Sequence, residues 1–219
     1  MKQDDSWRMR DDSGVTPLLM ATIYNHSCVV DFLLSSNAEV DVADDFGSTS
    51  LHLAAWEGYL QICKSLLSHK ASLTAKTRVS SQTALFRAVR MNHPAVVELL
   101  LEKGSDPNDR CDGVLPLCKA AKHSHMDVLK LLVEYGADLN LENDDGYNAL
   151  SLAAHHLWFK ELEYLIEKGA SGTPPSALGG KWKNLTFSDR LDYWKNAEVL
   201  RLLRDVKRNR WRKGDVYDF

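Results

Sequence analysis

Apolar residues return along this chain in two alternating helical registers, and the alternation itself repeats. Leu18, Ala21 and Thr22 share one face at i, i+3, i+4 spacing, and Val29, Val30, Leu33 and Leu34 form a second apolar helix. The pair of registers comes back as Leu51, Ala54 and Ala55 followed by Ile62, Leu66 and Leu67. It comes back again as Leu85, Ala88 and Val89 before Val96, Leu99 and Leu100, and as Leu117, Ala120 and Ala121 before Val128, Leu131 and Leu132. A fifth copy has Leu150, Ala153 and Ala154, then Leu162, Leu165 and Ile166. The residues that precede the first Leu of each copy are Pro17, Ser50, Ala84, Pro116 and Ala149, separated by 33, 34, 32 and 33 residues. A fixed period in this range predicts stacked helix-turn-helix units, not one globular core.

Local signals agree with that reading. Pro17 suits the first helical position, with Thr16 as N-cap. Asn37, or Gly104, Gly136 and Gly169 in its place, stops the second helix in a left-handed conformation. The small pairs Ala54-Ala55, Ala120-Ala121 and Ala153-Ala154 allow close packing of the first helices, while the Leu pairs of the second helices fill the layer between units. One unit cannot bury both faces, so stability has to come from the stack.

These residues carry a family resemblance. G-x-T-x-L-H-L-A-A-x-x-G, from Gly47 to Gly58, and E-Y-G-A-D-L-N, from Glu134 to Asn140, resemble the ankyrin repeat. The resemblance covers roughly residues 5–170 and implies an all-α ankyrin-repeat solenoid with β-hairpin or loop tips. Its repeats are 11–43, 44–77, 78–110, 111–142 and 143–170. Leu115 departs from the usual Thr and Cys118 from the usual His, and Asn25, Asn92, Ser124 and Leu157 replace the mid-repeat Gly. The uneven intervals place one extra residue near Thr77–Ser80 and remove one near Asn108–Cys111. Residues 1–10 align with the hairpin of a preceding repeat, Trp7 and Met9 falling where Leu139 and Leu141 sit. Because Ile23, Cys28 and Val29 have no earlier copy to cover them, the chain reads as a fragment of a longer array, or as an end covered by another chain.

After Ala170 the pattern stops. Residues 171–187 read as a Gly/Pro/Ser-rich linker and 188–219 as a basic amphipathic C-terminal helix and tail that would cap the stack. The net charge of −3 hides an asymmetry: residues 1–170 carry 16 Lys and Arg against 24 Asp and Glu, residues 171–219 carry 11 against 6. An acidic body and a basic tail invite docking of one on the other, or an anionic partner for the tail. Five of the seven residues from Lys207 to Lys213 are basic. With Arg201 and Arg204, the residues Lys207, Arg208, Arg210, Arg212 and Lys213 could contact nucleic acid or anionic lipid. The favoured alternative is a helix C-terminus whose cations complement the macrodipole. The four cysteines lack zinc-ribbon or disulfide-framework spacing, which suits reduced thiols in the cytoplasm or nucleus. The sequence holds no apolar run near the ~18 residues that span a bilayer.

The resemblance implies binding through the hairpin tips and the exposed edge of the first helices. Mapped here, those are Tyr24, Asp45, Phe46, Trp56, Glu57, Arg78, Arg90, Met91, Lys122, His123, His155 and His156, with Arg87 and Lys119 beside them. Tyr24, Phe46 and Trp56 would form an aromatic patch, and Arg78, Arg87, Arg90, Lys119 and Lys122 a basic centre flanked by acidic tips; aromatic and Arg side chains are favoured at interface hot spots. The competing reading treats these as solvated positions that vary freely. His123, His125, His155 and His156 could converge on Zn²⁺, although no Cys pair accompanies them and the turn role of His52 argues for structure first. No catalytic triad, carboxylate pair or phosphate loop is recognisable, and Gly179-Gly180-Lys181 lacks the rest of a P-loop. The expected function is a non-catalytic scaffold or adaptor, without cofactor, for a protein or peptide segment. Two alternatives stand beside it: a C-terminal helix that recruits a second component such as a ubiquitin-ligase subunit, and self-association through repeat one or the tail.

Overall fold

The computed structural model describes residues 9–156 and 158–170. The expected linker (171–187) and the expected C-terminal helix with its basic tail (188–219) lie outside the described residues, as do Trp7 and Leu157. Ten helices follow in pairs: α1 (Pro17–Ile23) and α2 (Ser27–Ser35), α3 (Ser50–Glu57) and α4 (Leu60–Ser68), α5 (Ala84–Arg90) and α6 (Pro94–Glu102), α7 (Pro116–Lys122) and α8 (Met126–Glu134), α9 (Ala149–His155) and α10 (Phe159–Glu167). Odd helices pack on odd helices and even on even, so the stack has an inner and an outer layer.

The small pairs set the spacing of the inner layer. Ala54, Ala55, Ala88, Val89, Ala120, Ala121 and Ala153 are fully buried, leaving no room for longer side chains between neighbouring helices. Thr22 takes the same place in repeat one, and its hydroxyl is satisfied by donating to the Leu18 carbonyl at 2.9 Å. Leu33, Leu66, Leu100, Leu132 and Leu165, on the outer helices, are buried in the core cluster shared with the inner layer. Each second helix ends on a left-handed residue, and the amide that follows donates back, as Ala38 does to Leu33 and Ala137 to Leu132. Asn25, Asn92 and Ser124 adopt the left-handed turn expected of the missing mid-repeat Gly.

The starts of the inner helices differ in one instructive place. Thr16 and Thr83 accept the amides of Leu19 and Phe86 at 3.3 Å, and Asn148 forms a capping box with Ser151. Leu115 has no side chain able to accept the equivalent amide of Cys118, and Pro116, like Pro17, removes only the donor of the first helical position.

The tips are turns, not extended strands. Among the described residues they are closed by single bridges, Ala43 with Thr49 and Cys111 with Val114. Asp11, Asp44 and Asn143 each start a tip by accepting a nearby amide on Oδ1, such as Ser48 on Asp44 at 2.7 Å. These tips close from residue i to i+4. Tip three closes from Thr77 to Gln82, one residue longer, and tip four from Cys111 to Val114, one residue shorter. The extra residue lies where the intervals put it. The missing one falls just past the Asn108–Cys111 stretch, within the tip itself.

Candidate partner-binding face

Exposed residues of the inner helices and the tips that extend them make one continuous edge of the stack. Its centre is Trp56, half-buried near the end of α3. The Arg90 and Arg87 guanidinium carbons lie 5.1 and 5.6 Å from the centre of the indole ring, both cation–π distances. Arg87 also donates through Nη2 to the Ser48 hydroxyl at 3.1 Å, while its Nε is buried without a partner. Burial lowers the pKa of Arg87, Asp44 opposes the shift and Arg90 adds to it. At neutral pH Arg87 keeps its proton, so the site holds a half-desolvated fixed charge.

The basic strip continues onto α7. Lys119 is half-buried and Lys122 exposed. Desolvation, then Arg90 and Lys122, lower the Lys119 pKa. Beyond them a groove of about 310 Å³ opens between repeats four and five. Lys119, Lys122 and His156 line it together with Val114, Tyr147 and Leu152, and buried Cys118 also borders it. His123, though exposed, is pushed down to about 4 by partial desolvation and by Lys119, His125, Lys122 and His156. It is therefore neutral at pH 7. The ion pairs between described residues lie elsewhere, Lys76 with Asp109 and Arg110 with Asp144, both at 2.6 Å. Arg87, Arg90, Lys119 and Lys122 have no carboxylate paired with them among the described residues.

The other expected site residues are distributed more loosely. Arg78 is pinned to the neighbouring tip: its amide donates to the Phe46 carbonyl at 2.9 Å and its Nη1 to the Asp45 carbonyl at 3.1 Å. Gly47 makes this approach possible, since a Cβ there would sit 2.8 Å from the Arg78 nitrogen. Phe46 is exposed on the same tip and Glu57 and Met91 at the ends of their helices. Tyr24 stacks on His26, with centroids 6.2 Å apart. No ring contact joins Tyr24, Phe46 and Trp56 among the described residues, so the expected aromatic patch is three separate rings. His155 ends α9, and its side chain lies outside the described residues.

Three of the histidines serve the scaffold. His52 donates from Nε2 towards the Ala75 and Gln82 carbonyls, both at 3.0 Å, and Nδ1 accepts the Thr49 amide at 3.2 Å. The carbonyls cannot donate, so the Nε2 tautomer is set by the fold. His93 donates from Nε2 to the Trp56 carbonyl at 2.9 Å and His125 from Nδ1 to the Val89 carbonyl at 3.0 Å. Trp158 repeats the contact in repeat five, its indole N–H reaching the Lys122 carbonyl at 3.2 Å. Ring N–H groups thus tie each of these repeats to the end of the preceding inner helix. His93, His125 and Trp158 stand at one recurring position of the repeat, 32 and 33 residues apart, and that spacing is the sequence signal of the device. Among the described residues no three His, Cys, Asp or Glu side chains are grouped to hold a metal ion.

The model of the family described as ankyrin repeats (3 copies) matches residues 2–77 and 85–175, and a second, ankyrin repeats (many copies), matches residues 57–101. The nuclear factor NF-kappa-B p105 subunit of Gallus gallus is 34% identical over 110 residues, covering 49% of this chain and 11% of that protein. The ankyrin repeat and KH domain-containing protein mask-1 of Caenorhabditis elegans is 32% identical over 145 residues, 65% of this chain and 5% of that protein. The NAD-capped RNA hydrolase NUDT12 of Macaca fascicularis is 43% identical over 58 residues, 26% of this chain and 13% of that protein. The chain thus spans a small part of the length of each of these relatives.

Proposed function

The chain belongs to the ankyrin-repeat family, and from that premise we propose that it is a non-catalytic scaffold that holds a partner segment along its inner, tip-lined edge. Ankyrin repeats are generally protein–protein interaction modules. The observation that carries the finer reading is the strip from Trp56 through Arg87 and Arg90 to Lys119 and Lys122. It holds a partly exposed indole and four cations with no ion-paired carboxylate among the described residues. A rigid stack orders these side chains before binding, so little conformational entropy is lost on association. A standard interface takes ~800 Å² per partner, within the reach of a few consecutive repeats. Buried thiols favour a reducing compartment, cytoplasm or nucleus: desolvation pushes Cys63 and Cys118 up to about 12, where they are inert. No helix among the described residues is long and apolar enough to cross a membrane.

The test is a pull-down with the double variant Trp56→Ala/Arg90→Glu. Partner capture is expected to disappear while the circular dichroism spectrum and unfolding midpoint stay near wild type. Undiminished capture would refute the edge as the interface. One observation favours a second reading, self-association: Met20, Ile23, Val29 and Phe32 of repeat one are exposed, Phe32 to 68%. Light scattering that returns a monomer mass at high concentration dismisses it.

A further inference from the structure

Charge is sorted by position in this stack. Inner helices α5 and α7 end on Arg87, Arg90, Lys119 and Lys122, whereas α1 and α3 have no basic residue in their last turn. A general need to complement helix dipoles would put cations on all of them. Their confinement to two adjacent helices needs another cause. Apart from the exposed Glu57 at the end of α3, carboxylates stand on the tips, as Asp45 and Asp112, and on the outer helices, as Glu98 and Glu134. Burial lowers the pKa of Arg87 and Lys119; the Asp44 carboxylate opposes that on Arg87, while Arg90 adds to it on both and Lys122 on Lys119. Such a strip is a repulsive arrangement until an anion lies on it.

The groove beside the strip adds a second requirement. At about 310 Å³ it lies at the small end of the range of ligand pockets, ~300–1,000 Å³. Val114, Leu152 and the Tyr147 ring give it apolar surface, and Lys119 and Lys122 stand on the side that adjoins the strip. That is room for one side chain. Asp145 is the sole carboxylate among the lining residues.

We propose that the segment held on this edge is an acidic peptide stretch of a protein partner, with one aromatic or branched apolar side chain seated in the groove between repeats four and five. This rests on the reading of the inner edge as the interface, and names what that interface selects. Carboxylates of the segment face Arg87, Arg90, Lys119 and Lys122, and the anchor residue passes Lys122 to reach Leu152 and Tyr147. A peptide can vary its charge along its length and so avoid Asp112 and Asp145. A nucleic-acid strand carries a phosphate at every step and cannot. Trp56 is also covered by two guanidinium groups instead of presenting a bare face for a base to stack on.

The test measures anisotropy of a fluorescein-labelled peptide EEDEFEDEE against the full chain at low and physiological salt. It runs beside the neutral peptide QQNQFQNQQ, the anchorless EEDEGEDEE and an oligouridylate of matching length. The acidic peptide is expected to bind at least about tenfold more tightly than the neutral one, and more weakly as salt rises. Replacing its Phe by Gly should cost at least about threefold. Lys119→Glu/Lys122→Glu should weaken it by about tenfold or more, and the gentler Lys119→Met/Lys122→Gln should weaken it in the same direction. Lys64→Glu/Lys103→Glu, on the outer side, should change it little. Equal binding of acidic and neutral peptides, indifference to both Lys119/Lys122 pairs, or tighter binding of the oligouridylate each overturns the proposal. If the neutral peptide binds as well as the acidic one, and Trp56→Ala/Arg90→Glu abolishes both, the edge remains the interface and only its preference for acid is lost. If no peptide responds to either set of variants, the interface reading falls with it.

Discussion

At the scale of single residues, the third helical position of each repeat shows how one site can be solved in several ways. His52 caps the backbone of its own repeat and reaches the Ala75 and Gln82 carbonyls of the next hairpin. Cys118 takes the same place in repeat four and points its thiol at the equivalent Leu141 and Tyr147 carbonyls, more weakly, at 4.0 and 3.5 Å. Leu19, Phe86 and Ser151 fill it in the other repeats, all buried. Only the His titrates in an accessible range. Burial, then the charge of Arg87, pushes its pKa down to about 4 despite opposing help from the Gln82 and Ala75 carbonyls and Asp44. The unfolded chain therefore takes up this proton first, near pH 6.5, and the folded protein loses stability as pH falls from about 6.5 towards 4. The loss should be on the order of 3 kcal/mol over that window. Urea midpoints measured across it for wild type and His52→Gln check this: the variant should fall less steeply, and parallel curves would contradict the assignment. Which residue sits here was visible from the period; its proton and its partners 23 and 30 residues away were not.

At the scale of elements, helix identity follows from the double register, because one face of each helix is apolar at 3.6-residue spacing and its neighbours are copies of itself. How consecutive units are fastened is a different matter. The ring N–H contacts from His93, His125 and Trp158 each close onto a carbonyl at the end of an inner helix, where carbonyls run out of intrahelical donors; that of Val89 also takes the Asn92 amide at 3.3 Å. His93 is also seated by Gly58, where an added Cβ would come within 2.6 Å of the imidazole Nδ1. Replacing His93 with Phe keeps the ring and removes the donor, leaving the Trp56 carbonyl unpaired. That should cost about 1–2 kcal/mol in denaturant unfolding. His26, at the same position in repeat one, makes no such ring contact to a helix-end carbonyl among the described residues, and His26→Phe in this chain should be close to neutral. Equal effects of the two changes would show that the hydrogen bond contributes little.

At the scale of the whole molecule, the stack is held by repeat-to-repeat terms, and these are not uniform. Tip-to-tip backbone bonds run from the Asp45 amide to Ser13, from Arg78 to Phe46 and from Asp144 to Gly113. The step between tips three and four, where one tip is a residue long and the other a residue short, shows no such bond among the described residues. The Lys76–Asp109 ion pair and the Thr83–Cys111 contact at 3.8 Å span it instead. Amide exchange should accordingly be fast at Asp112 and slow at Asp45, Arg78 and Asp144, and equal protection at all four would refute this weak step. That step lies beside the basic strip, between Arg90 and Lys119. Periodicity alone determined the five repeats, the two layers of helices, the left-handed turns and the uneven tips, because each depends on contacts repeated at a constant separation. The grouping of Trp56 under two Arg side chains, the separation of Tyr24 and Phe46 from it, and the groove between repeats four and five were decided only by the tertiary structure. Those features depend on which side chains on different repeats come into reach of one another, and a pattern read along one helix does not contain that distance.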